Sequence, residues 1–163
     1  MNTETKKIFQ QAEKGLLPED FDQWDLMNRV GWSVAHVAAL HGNLPKGFDR
    51  WEIMDRDGYT VAHAVAIWDN LPEDFDQWGL ANIKGQTVAH LVASRGNLPK
   101  DFDQWEICDS NGWSIGHEAA SYGYLPEDFD QWEIQDDDGW SIAACVIEYK
   151  KTINKEYGKN HNE

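Results

Sequence analysis

The chain has 163 residues, with 14 Lys or Arg against 29 Asp or Glu, so its formal net charge is −15. A protein this acidic repels the phosphates of DNA and RNA and anionic membrane surfaces, and we therefore expect no direct nucleic-acid binding and no membrane association. The two cysteines form no disulfide or metal-binding pattern, and no apolar stretch approaches the roughly 20 residues of a membrane span, which favours a soluble, cytoplasmic protein.

The first predicted element is a helix over residues 3–14, TETKKIFQQAEK, which Gly15 would end. It matches the alanine-rich helix of the repeats that follow but is more polar. The outermost element of a stacked array needs a solvent-compatible outer face. We therefore assign residues 1–16 to an N-terminal cap.

Five repeats of 27 residues follow without insertion or deletion, starting at residues 17, 44, 71, 98 and 125. A fixed period of this size is typical of a solenoid, in which each repeat buries its apolar face against its neighbours. Each repeat opens with LPxxFxxW, and the proline followed by carboxylates predicts a short helix. The recurring tryptophan of this segment is predicted to be core, at Trp24, Trp51, Trp78, Trp105 and Trp132.

The second half of each repeat predicts a turn and then an alanine-rich helix. In the second repeat the turn is DRDG, in which Gly58 can adopt positive φ, and Thr60 follows as the N-cap. The same cap is expected at Ser33, Thr87, Ser114 and Ser141. In three repeats a glycine follows the helix, as is typical of a helix C-terminus, at Gly42, Gly96 and Gly123.

The helix after Ser141 runs into a polar and basic stretch, and we assign residues 143–163 to a C-terminal cap. The sequence thus predicts an all-α helical repeat solenoid over residues 1–163, a single domain with five repeats between two capping helices.

The segments DRDGYTVAHAVAIWDN, NIKGQTVAHLVASRGN and DSNGWSIGHEAASYGY resemble the ankyrin repeat, whose core reads DxxGxTxLHxAAxxGH. The family's TPLH is SVAH or TVAH here, and each repeat is about six residues shorter than the usual 33. LPxxFxxW replaces the family's second helix, so we expect that helix to be little more than a turn. The resemblance implies an ankyrin-like solenoid that binds other proteins through its concave face. It also implies that His36, His63, His90 and His117 hydrogen-bond within their own repeat and to the next.

These four histidines are one repeat apart, and packed helices lie about 8–10 Å from each other, which is too far for them to share a metal ion. Ala144 takes this position in the fifth repeat, where no sixth repeat follows. Pairs of carboxylates recur once per repeat, so no unique catalytic constellation stands out. We expect no metal, no cofactor and no enzymatic activity.

The residue between the turn glycine and the helix cap varies between repeats, and in the ankyrin family this position belongs to the concave surface. Exposed aromatic residues along a groove are typical of interface hot spots. An alternative is that these rings stack on one another and only close the gap between turns. Together with variable positions nearby, the predicted partner-binding residues are Trp32, Tyr59, Trp68, Gln86, Trp113, Tyr122, Asp137, Asp138 and Trp140.

Two functions are compatible with these features. The first is a non-catalytic, monomeric module that binds a protein with a basic surface and acts as a scaffold or as an inhibitor by occlusion. The second is an acidic mimic of nucleic acid that inhibits a DNA- or RNA-handling enzyme, as a counter-defence or immunity protein would. Residues 17–149 carry 7 basic and 25 acidic side chains, a net charge of −18, which motivates the second hypothesis.

Overall fold

The computed structural model describes residues 2–68 and 70–159, and the side chains of 156–159 are left undescribed. This part of the chain contains helices and turns, without a β-strand, which confirms the all-α prediction. The helices are α1 (Thr3–Lys14), α2 (Val34–Leu40), α3 (Val61–Ala66), α4 (Val88–Ala93), α5 (Ile115–Tyr122) and α6 (Ile142–Lys159).

The chain divides into two compact units, which we call the N-terminal unit (Met1–Val88) and the C-terminal unit (Ala89–Glu163). In the N-terminal unit α1 packs against α2 and α2 against α3, and in the C-terminal unit α5 packs against α6. The predicted helix of the N-terminal cap has the bounds of α1, and Gly15 ends it with φ of 66°. Residues 160–163 of the predicted C-terminal cap lie outside the described residues.

Each repeat forms a tight turn that leads directly into its helix. In the second repeat the Asp55 carboxylate accepts hydrogen bonds from the backbone N–H groups of Asp57 and Tyr59, both at 2.9 Å. Gly58 has φ of 78°, and the Thr60 side chain accepts from the His63 N–H at 3.3 Å. The predicted caps at Ser33, Thr60 and Ser114 are confirmed, and Ser141 accepts from the Ala144 N–H at 3.3 Å.

The LPxxFxxW segment consists of two successive turns, as expected for a second helix reduced to little more than a turn, and the short helix predicted from its proline and carboxylates does not form. In the second repeat one turn joins Phe48 N to Pro45 O at 3.1 Å, and the next joins Ile53 N to Arg50 O at 3.4 Å. The carbonyls at the end of the segment bond elsewhere: Trp51 O accepts from Ala62 N at 3.2 Å, and Ile53 O accepts from Val61 N at 2.9 Å. They thereby satisfy N–H groups in the first turn of α3, which have no partner within their own helix.

The phenylalanine and tryptophan of this segment form the aromatic core of each unit through edge-to-face contacts. Trp51 lies between Phe48 and Phe75, with ring centroids at 5.2 and 5.7 Å. The predicted burial is confirmed for Trp24, Trp51, Trp78 and Trp105, each 8–9% exposed. It was wrong for Trp132, which is 37% exposed. Trp132 contacts Phe129 of its own repeat, and no further repeat follows to supply the second ring.

Candidate functional site

The repeat histidines fix the backbone at the predicted partner-binding positions. His36 accepts from the Ser33 hydroxyl at Nδ1 (2.7 Å), and its Nε2 donates to the Tyr59 carbonyl at 3.0 Å. His63 bonds in the same way to the Gln86 carbonyl, and His117 to the Trp140 carbonyl. The link from one repeat to the next that the ankyrin resemblance implied is thus present within each unit.

Both ring nitrogens of these histidines are engaged, and a carbonyl can only accept, so Nε2 carries a proton. Burial lowers the pKa of His36 and of His63 below the usual 6.5, because a charged ring would lose its hydration there. His36 and His63 therefore hold the repeats in place as neutral hydrogen-bonding groups at pH 7. Their side chains are unavailable for proton transfer.

The side chains at the linked positions lie at the surface. Trp32 is 42% exposed and Trp140 45%, while Tyr59, Gln86 and Trp113 are half-buried. In the second repeat the Tyr59 ring meets the His63 ring edge-to-face at 5.9 Å. A rigid backbone therefore presents partly exposed aromatic side chains, which is favourable for binding because little conformational freedom remains to be lost.

The C-terminal unit brings two of the predicted residues together around one cavity of about 290 Å³. Trp113 and Trp140 line it, together with Ser121 and with residues of α6: Cys145, Glu148, Tyr149 and Thr152. Of this lining, the two tryptophans and Tyr149 are of residue types that are enriched at protein interfaces.

Hydrogen bonds hold both indole rings in place. Trp113 Nε1 donates to Glu118 Oε2 at 2.9 Å, and Trp140 Nε1 donates to Cys145 Sγ at 3.0 Å. The Trp113 ring also lies 4.9 Å from the ring of His117. Burial raises the pKa of the Cys145 thiol, which keeps it protonated and poorly nucleophilic.

The other predicted residues are not among those that line this cavity. Trp68 follows α3 and is 60% exposed, and Tyr122 at the end of α5 is 50% exposed. Asp137 and Asp138 are exposed at the tip of the last turn, where the backbone N–H of Asp138 is held by the Asp136 carboxylate.

The cavity residues on α6 were missed by sequence reasoning. They lie 27 residues after Glu118, Ser121, Tyr122 and Leu125, so the repeat period extended into α6 could have found them.

A larger groove of about 830 Å³ opens in the N-terminal unit between the LPxxFxxW segments of the second and third repeats. It opens beside Gly47, which stands where the other four repeats have aspartate. Its floor includes Phe48, Trp51 and Phe75, each only 8% exposed. These rings already belong to the aromatic core, and none of the predicted partner-binding residues lines the groove.

Within residues 2–68 and 70–159 no three His, Cys, Asp or Glu side chains come close enough to hold a metal ion. In the same part of the chain no helix is both long and apolar enough to cross a membrane.

No family model matches the chain, and no curated protein matches it in sequence. It is, however, similar in structure to a chain of the complex between the Bd0816 predatory endopeptidase from Bdellovibrio bacteriovorus and the immunity protein Bd3460. The TM-score is 0.61 at 17% identity, and the match covers 90% of this chain and 93% of the other. The two chains share a fold.

Proposed function

We propose that this protein is a non-catalytic binding module that inhibits or scaffolds a partner protein by covering part of its surface. The observation that carries the proposal is the cavity in the C-terminal unit, where Trp113 and Trp140 are held at the surface by hydrogen bonds to Glu118 and Cys145. Tryptophan is among the residues most enriched at the energetic centre of protein interfaces.

The structural match supports this proposal, because it comes from a complex in which an immunity protein is bound to an endopeptidase. A non-enzymatic protein that protects by binding needs a rigid surface more than a reactive group. The buried histidines supply that rigidity here, since each ties the start of one helix to the turn of the next repeat.

We also propose that the repeats are short variants of the ankyrin repeat. The support is the turn with a glycine at positive φ, the Ser or Thr cap and the histidine link, which recur 27 residues apart. Two turns take the place of the second helix of the repeat, which accounts for most of the six residues by which each repeat is shorter.

Partner capture from the source lysate tests the proposed function, with the double variant Trp113→Ala/Trp140→Ala beside the wild type. Ile147→Ala serves as the matched control, because Ile147 is also an apolar side chain of the C-terminal unit, is 55% exposed and does not line the cavity. We expect the wild type and the control to retain a protein that the double variant loses. Thermal unfolding of all three proteins checks that the double variant is folded.

An acidic mimic of nucleic acid remains the second candidate, because the carboxylates of each LPEDFD segment are exposed, as at Glu19, Asp20 and Asp22. The salt dependence of partner binding distinguishes the two functions. At about 1 M salt the screening length falls to about 3 Å, so a partner held by charge alone is released, whereas a desolvated aromatic contact persists. Retention of the partner by the folded double variant at low salt, with release at high salt, would contradict the aromatic site and favour mimicry.

A further inference from the structure

In the cavity of the C-terminal unit, most side-chain hydrogen-bond donors are already engaged within the protein. Both indole N–H groups donate to neighbouring side chains. The Ser121 hydroxyl donates to the His117 carbonyl at 2.9 Å, and the Cys145 thiol hydrogen-bonds to this hydroxyl. The Thr152 hydroxyl donates to the Glu148 carbonyl at 3.1 Å. Because a hydroxyl has one proton and two lone pairs, Ser121 and Thr152 can offer an occupant of the cavity only acceptors.

The groups that remain available to an occupant are aromatic ring faces and acceptor oxygens. Tyr149 adds a third ring to the two indoles. A Cβ atom added to Gly123 would lie 2.6 Å from Cζ of Tyr149, so this ring rests directly on the backbone at the end of α5. Glu148 supplies a carboxylate, and the described residues that line the cavity include no Lys or Arg. Ring faces and carboxylates both attract cations.

The charge around the cavity is negative as well. Residues 101–149, which include every lining residue except Thr152, contain 13 Asp or Glu and neither Lys nor Arg. Burial is the main cause that raises the pKa of the Cys145 thiol, and the negative charge of Asp136 adds to it. The field of this carboxylate therefore reaches the lining. An anionic occupant would be repelled here, and a cation would be attracted.

The lysines of α6 compete only weakly for the Glu148 carboxylate. Lys151 Nζ lies 3.2 Å from Glu148 Oε2, and both side chains are exposed. An exposed pair of this kind contributes little to stability, because water solvates both charges well. Lys150, Lys151 and Lys155 are not among the residues that line the cavity. A cation that also contacts the rings can therefore displace Lys151 from this carboxylate.

We propose that the cavity receives an arginine side chain from the surface of the partner protein, an inference that rests on the proposed function. A guanidinium group is planar, so it can lie on the face of an indole while its N–H groups donate to Glu148 and to the hydroxyl oxygens. Its five donors suit a lining that offers mainly acceptors. The volume of about 290 Å³ is at the lower end for ligand cavities and suits one side chain. Lysine fits less well, because its ammonium group has fewer donors and is more strongly hydrated.

NMR titration of the indole N–H signals tests this proposal with three blocked tripeptides, which carry arginine, citrulline or lysine between two glycines. Citrulline has nearly the shape of arginine without its charge. The signals of Trp113 and Trp140 are assigned from their absence in Trp113→Phe and Trp140→Phe. We expect the arginine peptide to shift both signals and to bind about tenfold more tightly than the citrulline peptide.

Removal of the carboxylate from the cavity tests its role separately. Glu148→Gln should weaken binding of the arginine peptide about threefold and leave binding of the citrulline peptide unchanged. The matched control is Glu127→Gln, which removes the same charge from an exposed side chain of the C-terminal unit that does not line the cavity. This control should bind the arginine peptide as the wild type does, because Glu127 makes no contact with the occupant.

Equal binding of the arginine and citrulline peptides, or tighter binding of the lysine peptide, would overturn the proposal. An equal loss of affinity in Glu127→Gln and Glu148→Gln would do the same. If the arginine peptide fails to bind while Trp113→Ala/Trp140→Ala still loses its partner in the lysate, the proposed function stands and this inference is refuted. Retention of the partner by the folded double variant would refute the proposed function and, with it, this inference.

Discussion

At the scale of single residues, the turns are determined by glycines whose surroundings differ from repeat to repeat. Gly58 and Gly139 both have positive φ, 78° and 81°, and occupy equivalent turns. A side chain on Gly58 would collide with Ile83, whereas one on Gly139 would meet open space. Both positions therefore require a residue that tolerates positive φ, and only the packing around them differs.

This difference predicts unequal costs for the same substitution. Gly139→Ala should lower the free energy of unfolding by about 1–2 kcal/mol, because alanine is disfavoured in the left-handed region. Gly58→Ala should lower the free energy of unfolding by about 1–3 kcal/mol more than Gly139→Ala does, because its methyl group would overpack against Ile83. Urea unfolding of both variants measures the two costs, and equal values would show that the turns of the second and third repeats are not tightly packed against each other.

The buried histidines make a prediction about pH. Because the folded pKa of His36 and of His63 is lowered, the unfolded chain binds more protons just below pH 6.5. Their contribution to stability is complete above about pH 6.5 and is lost as the pH falls from there towards the folded pKa. The wild type should thus lose stability between about pH 7 and pH 5.5 more steeply than His36→Gln/His63→Gln. Identical pH slopes of the free energy of unfolding would contradict the assignment.

Among the elements, those that are set by neighbouring residues can be predicted from the sequence, whereas those that depend on hydrogen bonds to a later element cannot. The bounds of α1 and the caps at Ser33, Thr60 and Ser114 follow from neighbouring residues, so the sequence was sufficient to predict them. The LPxxFxxW segment has helix-starting features, but its last carbonyls bond to the following helix. The pattern of neighbouring residues does not reveal that these carbonyls bond to a later helix.

The aromatic core gives a prediction at this scale. Trp51→Ala should cost about 3–5 kcal/mol, because Trp51 is 8% exposed and contacts both Phe48 and Phe75. Trp132→Ala should cost less by at least about 1 kcal/mol, since Trp132 is more exposed and has the Phe129 contact without a second ring beyond it. Chemical denaturation of the two variants compares them, and equal losses would mean that contact with the next repeat adds nothing.

The sequence predicts two residues of the candidate site and misses those on α6. Trp113 and Trp140 stand out because an exposed aromatic at a variable position is visible in the sequence. Glu148 and Tyr149 lie on α6, where the repeat pattern gives way to a polar, basic helix and conceals their equivalence to Ser121 and Tyr122. Repetition therefore identifies the scaffold readily and obscures the residues that depart from it.

At the scale of the whole molecule, charge is distributed differently in the two units. At their turn tips the N-terminal unit exposes Arg29, Arg56 and Lys84 together with Asp57, whereas the C-terminal unit exposes the carboxylates of Asp137 and Asp138. The net charge of −15 favours solubility and steers partners over long distances, but short-range contacts decide which surface binds.

Site-specific photo-crosslinking can show whether the cavity lined by Trp113 and Trp140 contacts a partner protein, as we propose. A photoreactive amino acid at Ser121, which lines the cavity, should crosslink to one protein in the source lysate, and the crosslink should disappear in Trp113→Ala/Trp140→Ala. The same group at Ile147, outside the cavity, should give no such product. Equal crosslinking from both positions would contradict contact between the cavity and a partner. A crosslink at Ser121 that survives loss of both tryptophans in the folded protein would contradict it as well.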